Sequence, residues 1–243
     1  MKDDLLIINA LGRRHLPRLL PVIILAAAAI ILAVSRGMIS GTAHSINLQF
    51  VFIGVFAAEQ IYAWLVLRGP SSARSRYRYT VGMLKISERR AFLDCCVFNI
   101  LVYLLIWASL CCAAIITGNS LYSAGAFGPS PQSFYAAYML TGYRQLFVPM
   151  DNVPVTVSMI VMLVSLGIFS AADLAARMRG KAGSLQLLAT AMLLWAFSGT
   201  GSTGSQVGFI VFAWLMFIVS CVAAWNSLTQ LSRGVNEEAD DGE

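Results

Sequence analysis

Charge is scarce in this chain of 243 residues, because only 12% of its residues are charged while 58% are apolar. The mean hydropathy is +0.73. A soluble domain usually keeps about a quarter of its residues charged, so this composition excludes an ordinary soluble protein and is typical of a membrane protein. The net charge of +5 is not a nucleic-acid signature either, because the basic residues flank apolar runs instead of lining a soluble face.

Catalytic and metal-binding motifs are also missing. The chain contains no HExxH, no GxSxG and no GxxxxGK. Its five cysteines include no CxxC pair and lie in apolar segments, where they are expected as small packing residues. Only His15 and His44 are present, and both lie outside the predicted membrane spans. We therefore predict no metal or cofactor site and do not expect this chain to be an enzyme.

Long apolar runs are what the chain has in abundance. Six of them approach the roughly 20 residues that a helix needs to cross a hydrocarbon core. The sequence therefore predicts an all-α polytopic membrane protein with six transmembrane helices in a single domain, residues 1–243. The predicted spans are 18–35, 48–67, 95–116, 153–173, 184–200 and 206–228.

The basic residues orient these spans. Fifteen of the 17 Lys and Arg residues fall on one side of the predicted spans, and only Arg36 and Arg144 fall on the other. By the positive-inside rule the richer side is cytoplasmic. The sequence thus predicts a multi-pass protein of the cell (plasma) membrane with both termini in the cytoplasm.

Four segments outside the spans have distinct compositions. Residues 1–17 suit an amphipathic helix at the cytoplasmic membrane surface or an unstructured basic tail. Pro17 and Pro21 are expected near the start of the helix that follows. Residues 117–152 form a predicted external loop whose aromatic stretch suits an interfacial or re-entrant helix. Residues 234–243 are an acidic cytoplasmic tail that we expect to be disordered.

The fourth segment, the cytoplasmic loop 68–94, concentrates the positive charge of the chain. It carries seven of the 17 Lys and Arg residues between the second and third predicted spans. A charged segment this short, held at both ends by apolar runs, cannot form a core of its own. It can dock against a lipid surface or a partner protein.

Glu59 is the one carboxyl group in the middle of a predicted span, next to Gln60. A carboxyl group in hydrocarbon costs several kcal/mol unless it is paired, protonated or facing water. We therefore take Glu59, Gln60 and Asn99 as a candidate translocation path. The alternative is structural, namely an interhelical hydrogen bond from Glu59 to a residue such as Asn99.

Two further carboxyl groups lie near the ends of predicted spans. Asp173 is one helical turn from Arg177, which is the spacing of a simple i, i+4 pair. Asp94 stands at the predicted head of the third span, where its negative charge suits a helix N-terminus. We expect only local stabilisation from either residue.

The loop and the span after it, YTVGMLKISERRAFLDCCVFNILVYLLIW, resemble the corresponding region of ABC-2-type transporter permeases. In that family a short element of hydrophobic, basic or proline, hydrophobic, serine and basic residues precedes the third span. Here that element is LKISERR (84–90), with Lys85 where the family has proline. The predicted six spans, amphipathic start and cytoplasmic termini are also similar to the family. The long external loop departs from it, since many members have theirs between spans five and six.

The resemblance implies a permease subunit of an ATP-driven transporter that exports a lipid, peptide or drug-like substrate. The ATPase, with its ATP and Mg, would be a separate subunit, and a second permease subunit, identical or different, would complete the transporter. The loop would act as a coupling helix on the ATPase. The contact residues that the resemblance implies are Arg78, Lys85, Glu88, Arg89 and Arg90.

A different class of function is open as the alternative. The chain could be a non-transporting membrane sensor or assembly protein whose basic loop binds anionic lipid or a partner, because each basic residue near a cytoplasmic leaflet contributes about 1 kcal/mol of attraction. Lipid binding tolerates scrambling of the order of the charges, whereas a coupling helix does not.

Overall fold

Five α-helices make up nearly all of the chain that the computed structural model describes, namely residues 2–39, 45–68, 87–123, 153–178 and 203–240. Within these ranges every residue except Ser87 is helical and no strand occurs. The helices are α1 (Lys2–Ile39), α2 (Ser45–Arg68), α3 (Glu88–Ser123), α4 (Val153–Met178) and α5 (Thr203–Asp240).

Four of these helices are long and apolar enough to cross a membrane. The apolar segments are Ile8–Leu32, Arg89–Thr117, Val153–Ala176 and Val207–Thr229, and a shorter apolar stretch, Gly54–Leu67, lies in α2. The chain is therefore a helical membrane protein by the length and composition of its helices. The predicted count of six spans is not confirmed, because the structure supports four and the predicted fifth span, 184–200, lies outside the described residues.

Helix α4 lies at the centre of the bundle. It packs on α3 and α5, while α3 also packs on α1, and α2 packs mainly on α1 with smaller contacts to α3 and α4. Of the apolar segment of α4, 67% is buried, against 22% for α5. The exposed apolar side chains of α5 are the expected lipid-facing surface of a peripheral helix.

The closest crossing joins α3 and α4. A Cβ atom built on Gly167 would lie 2.6 Å from Cγ1 of Ile100 and 2.7 Å from both its Cα and its backbone nitrogen. Lipid tails are as apolar as leucine side chains, so helices in a membrane associate through close van der Waals packing that small residues permit. Gly167 is the residue that allows this packing, and Ile100 is the surface against which it lies.

The N-terminal region differs from the prediction. Residues 2–39 form one continuous helix, and its apolar segment begins at Ile8 instead of residue 18. Residues 2–17 are helical, so an unstructured tail is wrong there, and this helical stretch is continuous with the first apolar segment and not a separate helix. Pro17 and Pro21 lie inside α1 and not at its start. In a membrane helix, groups on neighbouring helices can bond the carbonyls that proline leaves without an amide partner.

Helix α2 donates a hydrogen bond to α1 close to Pro21. Pro21 lacks the amide that would bond the carbonyl of Pro17, and the hydroxyl of Tyr62 donates to the next carbonyl, that of Arg18, at 3.3 Å. The contact links α1 to α2 at the turn that proline weakens.

We expect Tyr62→Phe to lower the free energy of unfolding by about 0.5–1 kcal/mol, the usual range for a single neutral hydrogen bond. If the hydroxyl compensates for the turn that Pro21 weakens, the same substitution should cost less in a Pro21→Ala background, where the Pro17 carbonyl regains its amide partner and the turn is firmer without Tyr62. Thermal unfolding of the four proteins of this double-mutant cycle in mild detergent measures the coupling. Equal costs in both backgrounds would contradict the compensation.

Helix ends also depart from the predicted boundaries. α3 begins at Glu88 and runs to Ser123, so Asp94 lies in its second turn and not at its head, and residues 117–123 are helical instead of loop. The predicted aromatic helix of the external loop lies outside the described residues. α5 continues to Asp240, so the acidic segment 234–240 is helical and the predicted disorder is wrong there.

Candidate functional site

The buried face of α2 carries the two most unusual side chains of the bundle. Its buried residues recur at the three- and four-residue spacing of one helix face. They are Phe56, Glu59, Gln60, Ala63, Trp64, Val66 and Leu67. The sequence places a carboxyl group and an amide where the rest of this face is apolar.

Glu59 is 2% exposed and Gln60 is 0% exposed. Both carboxyl oxygens of Glu59, and both the oxygen and the nitrogen of the Gln60 amide, have no hydrogen-bond partner in the part of the chain that the structure describes. Leaving a buried polar group unsatisfied costs about 1–3 kcal/mol, and more for a charged group. The fold therefore tolerates a destabilising pair at adjacent positions, which is unusual for side chains that only pack.

Asn99 does not relieve this cost. It is 2% exposed, on α3, and its side-chain amide points along its own helix to Sγ of Cys95 at 3.8 Å. The interhelical hydrogen bond between Glu59 and Asn99 that the sequence suggested is therefore not formed. Asn99 is instead part of the buried end of α3, one turn beyond Cys95.

His15 is a buried residue that the sequence analysis missed. It lies within the apolar segment of α1 and is 5% exposed, so the prediction that it stands outside the spans is wrong. Its ring is 6.2 Å from the ring of Phe98 and lies near the backbone of Val66 on α2, and its Nδ1 atom has no hydrogen-bond partner in the described part of the chain. The burial of His15 was not predicted, because the two prolines suggested that the membrane helix begins after this residue.

Two contacts define how α1 and α2 align. His15 meets the backbone of Val66, and the Arg18 carbonyl meets Tyr62, so the two helices run antiparallel. Glu59 is seven residues before Val66, or about 10 Å along the helix axis. The carboxyl group is therefore about two turns deeper in the bundle than His15.

A second polar region forms the start of α3. The backbone amide of Arg90 lies 3.0 Å from the carbonyl of Ser87 and 3.4 Å from its hydroxyl, so Ser87 is the N-cap of the helix. Arg89 and Arg90 follow in the first turn, and both are exposed. Cations are disfavoured at this position, because the helix dipole places partial positive charge there. We name residues 87–90 the basic turn.

The basic turn leads directly into packed structure. One turn further on, Phe92, Cys95 and Cys96 are buried against Ala171 and Ala175 of α4. Ala224 and Leu228 of α5 pack against the same cluster. The start of α3 and the C-terminal halves of α4 and α5 therefore meet at one end of the bundle.

The structure places the predicted partner-binding residues only in part. Glu88, Arg89 and Arg90 lie together in the first turn of α3, as part of a membrane helix and not of a separate coupling helix. Arg78 and Lys85 lie outside the described residues. Asp173 is buried in α4, and the side chain of its predicted partner Arg177 is not among those described, so that pair stays a prediction.

Comparisons with protein-family models, with curated proteins and with solved structures find no match to this chain. No group of three or more potential metal ligands occurs among the described residues.

Proposed function

We propose that this chain is the permease subunit of an ATP-driven transporter of the ABC-2 type, which exports its substrate with the help of a separate ATPase. The observation that supports the proposal most strongly is the exposed basic turn at the start of α3. Two arginines at a helix N-terminus lower the stability of the isolated helix. An acidic surface on a partner could form charge-assisted hydrogen bonds with these arginines, and these bonds would favour binding.

The position of the basic turn suits the transmission of force. A partner that presses on residues 87–90 presses on the end of α3, whose next turn packs on α4 and α5. About one turn beyond that cluster, Ile100 lies so close to Gly167 that a Cβ atom at residue 167 would overlap it. Because close-packed helices shift as units, a displacement of the α3 start would reach the centre of the bundle.

In this proposal the chain supplies no catalytic group for ATP hydrolysis, since its sequence contains no nucleotide-binding motif. ATP and Mg would be held by the partner. A second permease subunit, either a copy of this chain or a different one, would complete the translocation path.

The decisive experiment is affinity purification of the chain from its native membrane in mild detergent. We expect a soluble ATPase to copurify with the wild-type protein and to be lost from the Arg89→Glu/Arg90→Glu variant. Reversal of two charges at a desolvated contact typically costs several kcal/mol, which is enough to lower affinity by about 100-fold or more.

The matched control is Arg13→Glu/Arg18→Glu, which makes the same change of charge at two exposed positions of α1. It should keep the ATPase. Recovery of the wild-type chain without any ATPase would contradict the proposal. In that case, equal loss of binding to anionic vesicles by both double variants would identify the alternative, a sensor or assembly protein that contacts lipid through its summed charge.

A further inference from the structure

The unpartnered pair Glu59 and Gln60 has the composition of a ligand site. Together these side chains present three oxygen atoms and one amide nitrogen, all buried and all without hydrogen-bond partners among the described residues. A site with two carboxyl oxygens and one amide oxygen favours a positively charged ligand. The side chains of Glu59 and Gln60 could therefore form hydrogen bonds with a ligand without breaking any hydrogen bond of the described structure.

Two aromatic side chains share the buried face of α2 with the pair. Phe56 is three residues before Glu59 and four before Gln60, and Trp64 is four residues after Gln60, so each lies one turn from the pair on the same helix face. Both are buried. Aromatic rings next to a carboxylate attract organic cations, because the ring faces add to the negative charge while the ring area solvates apolar groups.

The charges of the described part of α1 argue against a small hydrated cation that arrives along the seam between α1 and α2. Arg14 lies next to His15, Arg18 lies one turn on, and both are on the outer side of the contacts that lead toward Glu59. A cation would meet positive charge on that route. A lipophilic cation has another route, because it partitions into the bilayer and can reach α2 laterally.

The packing of α2 is compatible with such lateral access. Among the five described helices, α2 packs mainly on α1 and makes smaller contacts with α3 and α4. These small contacts are the ones that must separate if a ligand is to reach the buried face of α2. Helices α3 and α4, by contrast, are joined at Ile100 and Gly167 and act as a fixed wall.

From these observations we propose that the buried face of α2 binds a lipophilic organic cation, with Glu59 as its counter-charge, Gln60 as a hydrogen-bond partner and Phe56 as an aromatic contact. This inference names the substrate class of the proposed transporter, and it depends on that proposal only for the ligand being a substrate. Binding itself requires this chain alone.

The test uses the purified full-length chain in lipid nanodiscs, with tetraphenylphosphonium as the ligand and tetraphenylborate as a control of the same shape and opposite charge. We expect saturable binding of the phosphonium and none of the borate. Glu59→Gln, which keeps the size of the side chain and removes its charge, should weaken phosphonium binding by at least about tenfold.

Two further variants separate binding from folding. Asp173→Asn removes another buried carboxylate from the bundle and should leave phosphonium binding unchanged. Phe56→Leu keeps an apolar side chain and removes the ring, and should weaken binding by about threefold to tenfold. Thermal unfolding of each variant confirms that it is folded.

The proposal is overturned if the wild-type chain shows no saturable phosphonium binding, if the borate binds equally well, or if Glu59→Gln binds like the wild type. None of these measurements involves an ATPase. Failure to find a partner ATPase and failure to find cation binding are therefore separate outcomes.

Discussion

Gly167→Ala is expected to destabilise this bundle severely, although it adds a single methyl group. The new Cβ would lie 2.6 Å from Cγ1 of Ile100 and 2.7 Å from both its Cα and its backbone nitrogen. The side-chain atom can rotate away, but the two backbone atoms can move only if α3 moves. We expect the free energy of unfolding to fall by about 3 kcal/mol or more, the upper end of what overpacking costs.

Two other glycines provide matched controls for this substitution. Gly54 in α2 and Gly208 in α5 also lie within helices, and a Cβ at either position would have no atom within 4 Å. Since alanine favours a helix over glycine by about 0.5–1 kcal/mol, Gly54→Ala and Gly208→Ala should be neutral or slightly stabilising. Size-exclusion chromatography after heating in detergent compares the three, and an equal midpoint for Gly167→Ala would contradict the close crossing.

Shortening Ile100 should rescue little. Ile100→Ala removes the Cγ1 contact but leaves the Cα and backbone nitrogen of α3 in place. In a Gly167→Ala background it should therefore recover only a minor part of the lost stability, in addition to creating a small cavity of its own. Full rescue would show that the crossing is limited by the side chain and not by the backbone.

Helix content was predictable from the sequence because it depends on length and composition. An apolar run such as 153–173 has only one way to satisfy its backbone in lipid, which is to form a helix, and α4 covers all of it. Helix ends were less predictable. The hydrogen bonds that make Ser87 the N-cap of α3 involve only neighbouring residues. The many charges of the segment 68–94 nevertheless led to the prediction that all of it is a loop.

The N-terminal region shows why a general rule about proline was misleading. Proline is favoured in the first turn of a helix, which made Pro17 a natural start for the first span. The structure instead keeps both prolines within α1, and Tyr62 bonds the neighbouring Arg18 carbonyl. That donor is 44 residues away in the sequence, so local propensity could not indicate it. The burial of His15 was missed for the same reason.

The candidate site was predictable in its residues and not in its contacts. Glu59 and Gln60 are polar residues in an apolar run, which the sequence alone makes conspicuous. Whether they are paired depends on the rotation of α2 against its neighbours, and single-sequence patterns do not contain that information. In the structure the side chain of Asn99 is directed toward Cys95, and Glu59 and Gln60 have no hydrogen-bond partner among the described residues.

Glu59→Leu is expected to raise the stability of the protein while it abolishes cation binding. A buried carboxyl group without a partner contributes no hydrogen bond to the fold, and the cost of its removal from water remains. Replacing such a group by an apolar side chain of similar size typically stabilises a protein by about 1–3 kcal/mol. The expected result is a higher midpoint of thermal unfolding together with loss of phosphonium binding.

Asp173→Leu is the matched comparison, because Asp173 is also buried, at 4% exposure, but takes part in an interaction with another group, although its Oδ1 atom accepts no hydrogen bond in the described part of the chain. Removing one partner of a buried interaction leaves the other unsatisfied, so this variant should lose about 1–3 kcal/mol. A higher free energy of unfolding for Glu59→Leu together with a lower one for Asp173→Leu would show that Glu59 destabilises the bundle. That is the result expected of a group retained for ligand binding. A loss of stability in Glu59→Leu as large as in Asp173→Leu would instead make Glu59 a structural residue, and the cation site on α2 would lose its main support.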